Sequence, residues 1–331
     1  MKAKKQFTFS GIYAPAPIRW VNALARRSKS VFDRIASLNS EQMIEAAARR
    51  TGLQDWGNPR FEEALAALLN SVAQEGKLTL FGRSALKQYL IENLCCRLRV
   101  IEVLKRFPEI RQQNIARPVF ITEAKSFAWW LLEHDIEHGY QFFKLQLQLL
   151  NWLRPDRQWV FKWPYHLWHL ETLLKTFPDA TIIQLHRDPR QAIPSVCSLA
   201  AAASAPFCES VDAAALGEFW LNYCQAGLAR GATARQKAKP TQIIDIRYPD
   251  LKENPLSVID QIQNSIDLSE SGAWKESLKA SLKFGGKKRS EAHHYTAAQF
   301  GLEADQIRER FSGYIQDYDL SACAPKTKIR N

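Results

Sequence analysis

The sequence predicts an α/β protein, with a parallel sheet flanked by helices over residues 117–325 and a helical region packed before it over residues 1–116. Three observations carry this prediction. Residues 40–104 place apolar side chains at three- and four-residue spacing, with Leu86, Leu90, Leu94, Leu98, Ile101 and Leu104 as the longest such series. At residue 118 the pattern changes to short apolar runs of β type: PVFIT (118–122), WVFKW (159–163), TIIQLH (181–186) and QIIDI (242–246). Helical patterns separate these runs, and strands alternating with helices build parallel sheets through right-handed crossovers.

The helical region follows from its punctuation. Asn39 or Ser40 caps a helix that runs to about Arg50 and stops at Gly52; Asn58-Pro59 opens a second, ended by Gly76; a third begins after Gly82. Beyond the first β run, residues 127–134 and 140–152 read as aromatic helices, and a turn at Pro164 opens a helix to Phe177. A long helix is expected from about Asp212 to Lys237, then a Pro249-Asp250 turn, a helix from Asn254-Pro255, another from about Ala273, and a last one from about Glu303 to Asp317. Residues 326–331 read as a disordered tail.

Composition narrows the function classes. The 331 residues are 46% hydrophobic and 11% aromatic, enough for a sizeable core and unlike a disordered or fibrous chain. No run of about 18 uncharged apolar residues occurs and the amino terminus lacks a signal-peptide core, so a cytoplasmic protein with no membrane span is expected. Six cysteines without a CxxC pair, set mostly in helical patterns, read as buried thiols of a reducing compartment. The 45 Lys and Arg against 34 Asp and Glu, a formal charge of +11, point to an anionic partner. The basic clusters are scattered without aromatic interleaving, which argues against nucleic acid. No metal is expected, because His166 with His169, or His293 with His294, lacks further ligands at recognisable spacing.

One junction has the chemistry of an anion site. The run TIIQLH ends in Arg187-Asp188-Pro189, where Asp188 can cap a helix and Pro189 can take its first position, its missing N–H costing nothing there. The free N–H groups of that first turn, a planar cation at Arg187 and a hydroxyl two turns on at Ser195 outline a phosphate pocket. The same Arg-Asp-Pro also serves many proteins as a structural cap.

Taken together, a series of segments resembles the bacterial branch of the sulfotransferases that use 3′-phosphoadenosine 5′-phosphosulfate (PAPS). They are TGLQDWG (51–57), LTLFGR (78–83), RPVFI (117–121), WVFKWPYHL (159–167), FPDA (177–180), HRDP (186–189) with Ser195, YPDLKENP (248–255), and His294-Tyr295 before Phe300-Gly301-Leu302. The resemblance implies a P-loop NTPase-like sulfotransferase fold, PAPS as co-substrate without a metal, and transfer of a sulfuryl group to a hydroxyl or amine on a small-molecule acceptor. It places Arg187 and Ser195 as ligands of the nucleotide's 3′-phosphate, and Lys287, Lys288 and Arg289 in a late basic segment that closes over the nucleotide. Lys162 falls where the family keeps a lysine beside the transferred group, and His166, one helical turn on, is the candidate general base, with packing or capping as its alternative.

The chain departs from that family in two places. Trp163 stands where a small hydroxyl residue usually follows the lysine. After Thr122, where the family has a Gly-Thr-rich loop around the 5′-phosphosulfate, the sequence passes directly to Glu123-Ala124-Lys125-Ser126 without a glycine. The resemblance therefore implies a sulfotransferase of impaired activity, or a degenerate member that binds nucleotide without catalysis.

Overall fold

The computed structural model describes residues 12–13, 38–54, 56, 60–75, 78–106, 124–151, 159–205, 208, 210–266, 276–281 and 295–320. The expected strand at 118–122, the basic segment 287–289 and the tail 326–331 lie outside them. In order the elements are β1 (Ile12–Tyr13), α1 (Ser40–Thr51), α2 (Arg60–Glu75), α3 (Leu80–Arg106), α4 (Lys125–Glu133), α5 (Glu137–Asn151) and a 3-10 turn at Pro164–His169. Then follow α6 (Leu170–Thr176), β2 (Ile182–His186), α7 (Pro189–Ser204), β3 (Ser210–Val211), α8 (Ala213–Arg235), β4 (Ile243–Arg247), α9 (Tyr248–Glu253) and α10 (Pro255–Ile266). A 3-10 turn at Ala298–Phe300, α11 (Ala304–Arg310) and α12 (Ser312–Asp317) close the described chain.

Local chemistry fixes several of the boundaries. Asn39 caps α1 by accepting from the Gln42 N–H at 3.0 Å, and Gly52 ends it at φ 71°, a left-handed conformation that glycine adopts without steric cost. Thr79 accepts from the Gly82 N–H at 2.9 Å, so α3 starts at Leu80, earlier than the sequence suggested, with Gly82 inside its first turn. Asp212 caps α8 through the Ala215 N–H at 3.0 Å. Two further expectations are corrected. The Pro249-Asp250 turn is the first turn of the short helix α9, because proline is compatible with a helix start. The expected helix over 303–317 is two helices, broken at Phe311, which is 4% exposed and turns into the core.

β2 and β4 pair in parallel, with Ile182 opposite Ile243 and His186 opposite Arg247. Paired residues in a parallel ladder share a face, so the sheet has two distinct sides. Ile182 and Ile243 pack with Leu170, Leu173, Ala234 and Tyr140, that is, against α6, α8 and α5. On the other side Ile244 and Ile246 are covered by Val258 of α10, while Ile183 and Leu185 are about half exposed.

Residues 159–163 do not form the expected strand. Val160 is 90% exposed, and the aromatic side chains around it are satisfied by other aromatic groups. Phe161 stands edge-on to Phe143 of α5 at 5.2 Å, and Trp159 stacks on Phe161 at 5.6 Å while its indole N–H donates to Asn151 at 2.9 Å. Among the described residues, these side chains pack on α5 and form no ladder.

One continuous core joins the helical region to the sheet-bearing part. It runs from Met43, Leu68, Leu94 and Leu98 through Phe127 to Trp220, Tyr223, Phe300 and Leu320. Helix α8 lies at its centre, and its closest approaches require glycine: a Cβ on Gly227 would lie 2.5 Å from the Trp168 ring, and one on Gly217 would lie 2.0 Å from the Phe300 carbonyl oxygen. That proximity lets Trp168 stack on Tyr223 at 4.8 Å and donate its N–H to the Tyr223 carbonyl at 2.7 Å. No described helix is long and apolar enough to cross a membrane.

Candidate active site

The turn from β2 into α7 has the architecture its residues suggested. Asp188 is buried and accepts from the Arg190 N–H at 2.8 Å, while its carbonyl receives the N–H groups of Gln191 and Ala192 at 2.9 Å each. The Arg190 guanidinium folds back on the same carboxylate, with contacts of 2.7 to 3.1 Å that neutralise it in place. The cap charge is thus compensated within the turn, and Arg187 has no carboxylate partner among the described residues.

Arg187 lies half-buried immediately before this helix. Its guanidinium sits 4.9 Å from the centre of the Tyr248 ring, and Lys252 approaches the same ring at 6.0 Å. The Arg187 Nε–H is buried and has no hydrogen-bond partner among the described residues. A buried, unpaired guanidinium N–H is costly unless something accepts from it. Ser195, two turns into α7, is half-buried, and its hydroxyl makes no hydrogen bond to a described residue. Arg187 thus offers a cationic donor and Ser195 a hydroxyl, the group types that a phosphate accepts from.

The site's other expected residues fall on and before the 3-10 turn. Lys162 is exposed and precedes it, with no ion pair among the described residues. His166 lies within the turn, half-buried, with Nδ1 2.9 Å from the hydroxyl of Tyr140. Burial pushes the His166 imidazole down to about 4, and burial with the nearby Arg230 pushes His169 down to about 3, so both are neutral at pH 7. Burial also pushes the Tyr140 phenol well above its ordinary range.

Sequence reasoning missed the partners that hold these groups. His186, the last residue of β2, is fully buried between Tyr314, whose hydroxyl is 2.9 Å from Nδ1, and Asp245, whose carboxylate is 2.8 Å from Nε2. Tyr318 stacks on its ring at 3.6 Å. Asp245 in turn takes a two-pronged contact from Arg235 at 2.6 and 2.9 Å. Burial pushes His186 below its ordinary value, with Asp245 opposing that shift. One signal in the sequence marks this network: Asp245 is a charge set between two apolar residues in a strand. Tyr140 and Tyr248 carried no such signal. Among the described residues, no group of three His, Cys, Asp or Glu side chains is placed to hold a metal ion.

Comparison with known proteins places the fold. The structure superposes on the crystal structure of sulfotransferase STF9 from Mycobacterium avium with a TM-score of 0.73 and 19% identity, over 86% of this chain and 98% of that one. It superposes on sulfotransferase STF1 from Mycobacterium tuberculosis H37Rv with a TM-score of 0.70 and 21% identity, over 84% of this chain and 99% of that one. No curated protein matches the sequence. The sequence model of the Sulfotransferase family matches residues 82–272, more than half of the 331, and the chain belongs to that family.

Proposed function

We propose that this chain binds PAPS at the β2–α7 turn and transfers its sulfuryl group slowly to a hydroxyl or amine of a small-molecule acceptor. The observation that carries the proposal is the unpaired, buried Nε–H of Arg187 at the start of α7, beside a helix terminus whose own cap charge is already neutralised by Arg190. In this reading Arg187 and Ser195 hold the 3′-phosphate, and Lys287, Lys288 and Arg289 close over the nucleotide. PAPS supplies the activated sulfuryl group. Lys162, exposed beside the 3-10 turn, offsets charge that builds on sulfuryl and bridging oxygens during in-line attack. His166 is the second polar group offered to that region.

The slow rate follows from the chain after residue 122. α4 begins at Lys125 with no side-chain cap, and neither Glu123 nor Ala124 is a glycine that would let backbone N–H groups close on a 5′-phosphosulfate. Loss of one preorganised donor costs about 10²- to 10³-fold in rate, and the resemblance implies that several are missing. The same departure supports a second reading, a nucleotide-binding member without catalysis.

Single-turnover transfer from radiolabelled PAPS across phenols, alcohols and amines tests the proposal. Labelled product that forms well below about 1 s⁻¹ supports it. No labelled product with any acceptor class, while adenosine 3′,5′-bisphosphate still binds, establishes the second reading instead.

A further inference from the structure

Tyr140 and His166 form a pair whose hydrogen atoms can be placed by counting donors and acceptors. Tyr140 lies in the first turns of α5, 8% exposed, packed with Leu170, Leu173 and Ala234. Its hydroxyl has one hydrogen-bond partner among the described residues, His166 Nδ1 at 2.9 Å. Phe143, one turn further along α5, lies 6.4 Å from the same imidazole. His166 Nε2 has no partner among the described residues.

Two arrangements of the protons are possible. If Nδ1–H donates to the phenol oxygen, the phenol's own hydrogen is left in a buried pocket with no described acceptor. If the phenol donates to Nδ1, the phenol hydrogen and Nδ1 are both satisfied, and the imidazole proton sits on Nε2, where it is free for a ligand or water. The cost of an unmade buried hydrogen bond favours the second arrangement by roughly 5- to 150-fold. Burial keeps Tyr140 protonated and His166 neutral at pH 7 in either arrangement, so the donor and acceptor count decides between them.

We propose that Tyr140 is a positioning residue that holds His166 in its Nε2–H tautomer, so that His166 faces the reaction as a hydrogen-bond donor and not as the general base. A neutral imidazole with its proton on Nε2 has no lone pair there to take a proton from an acceptor. It can donate to a sulfuryl or leaving-group oxygen as negative charge builds on it. In that step the acceptor oxygen or nitrogen bonds to sulfur as the bond from sulfur to the phosphate oxygen breaks. The electron pair leaves with the phosphate, the acceptor's proton passes to water, and His166 makes no covalent bond. The donor role rests on the sulfuryl-transfer reading above; the tautomer does not.

Two-bond proton–nitrogen correlation spectra of the full chain, labelled with ¹⁵N-histidine at pH 7, read the tautomer directly, and the His166→Gln spectrum identifies the His166 signals. The expected result is a proton on Nε2 in the wild type and a shift toward Nδ1–H in Tyr140→Phe, which keeps the ring and its packing. A proton on Nδ1 in the wild type overturns the proposal. In PAPS turnover, glutamine places an N–H near the Nε2 position but cannot act as a base. His166→Gln should therefore stay within about tenfold of the wild type, while His166→Ala falls by about 10²- to 10³-fold. Equal losses in the two variants overturn the donor role. Absence of turnover in the wild type overturns the transferase reading and leaves the spectra to decide the tautomer.

Discussion

Replacing Arg187 with alanine isolates the nucleotide site from the rest of the fold. In the free protein Arg187 forms no ion pair with a described residue, its Nε–H is unpaired, and its main contact is the face of Tyr248 at 4.9 Å. Its removal should therefore change the stability of the unliganded protein by no more than about 1 kcal/mol. With adenosine 3′,5′-bisphosphate the balance differs, because a charge-assisted fork to phosphate contributes about 2 to 3 kcal/mol. That corresponds to a dissociation constant about 30- to 150-fold weaker. At a ligand concentration of about 100 Kd the wild type gains about 2.7 kcal/mol of stability, whereas a variant with about 100-fold weaker binding gains about 0.4 kcal/mol. At about 2 °C per kcal/mol for a chain of this size, the melting point should rise by about 5 °C in the wild type and about 1 °C in the variant. Arg187→Lys keeps the charge but loses the planar fork, and should fall between them. Calorimetric titration and thermal melting at fixed salt measure both quantities. Equal dissociation constants for wild type and Arg187→Ala would refute the placement of the phosphate.

Three further outcomes concern the scaffold. Gly217→Ala should cost at least about 2 kcal/mol in urea unfolding, since its Cβ meets the Phe300 backbone at 2.0 Å, whereas Gly313→Ala, with nothing within 4 Å, should be neutral or stabilising by about 0.5 to 1 kcal/mol. His166 and His169 are held neutral by burial, at about 4 and about 3, so the unfolded chain binds more protons than the folded one below about pH 6.5. Their contribution to stability is full above about pH 6.5 and should decline by roughly 2 kcal/mol per imidazole as the pH falls to about 5; His169→Gln should flatten that part of a stability–pH profile. Asp245→Ala leaves the buried Nε2 of His186 and the Arg235 guanidinium without their carboxylate, and should cost about 1 to 3 kcal/mol in thermal unfolding, with loss of the His186 ring's fixed environment in its proton spectrum.

By itself the sequence determined the features that short-range hydrogen bonds decide. Asn39 starts α1, Asp188 and Pro189 start α7, and Asp212 starts α8, because a side chain two or three residues from a free N–H satisfies it whatever lies beyond, while Gly52 ends α1 by its left-handed backbone. The runs 181–186 and 242–246 were legible as strands, and they pair in parallel, because a helix of the length of α8 between them returns the chain to the same edge. Tertiary structure decided the rest. Residues 159–163 have an equally apolar pattern, but among the described residues no strand pairs with them, and Phe161 packs against the Phe143 ring instead. His186 gains its partners from Asp245, 59 residues away, and Tyr314, 128 residues away; Arg187 gains the ring of Tyr248, and His166 the phenol of Tyr140, 26 residues before it. A motif such as HRDP places a histidine and an arginine at the end of a strand. Which proton the one holds, and which group the other leaves unpaired, depends on side chains brought there by packing, and no local spacing encodes them.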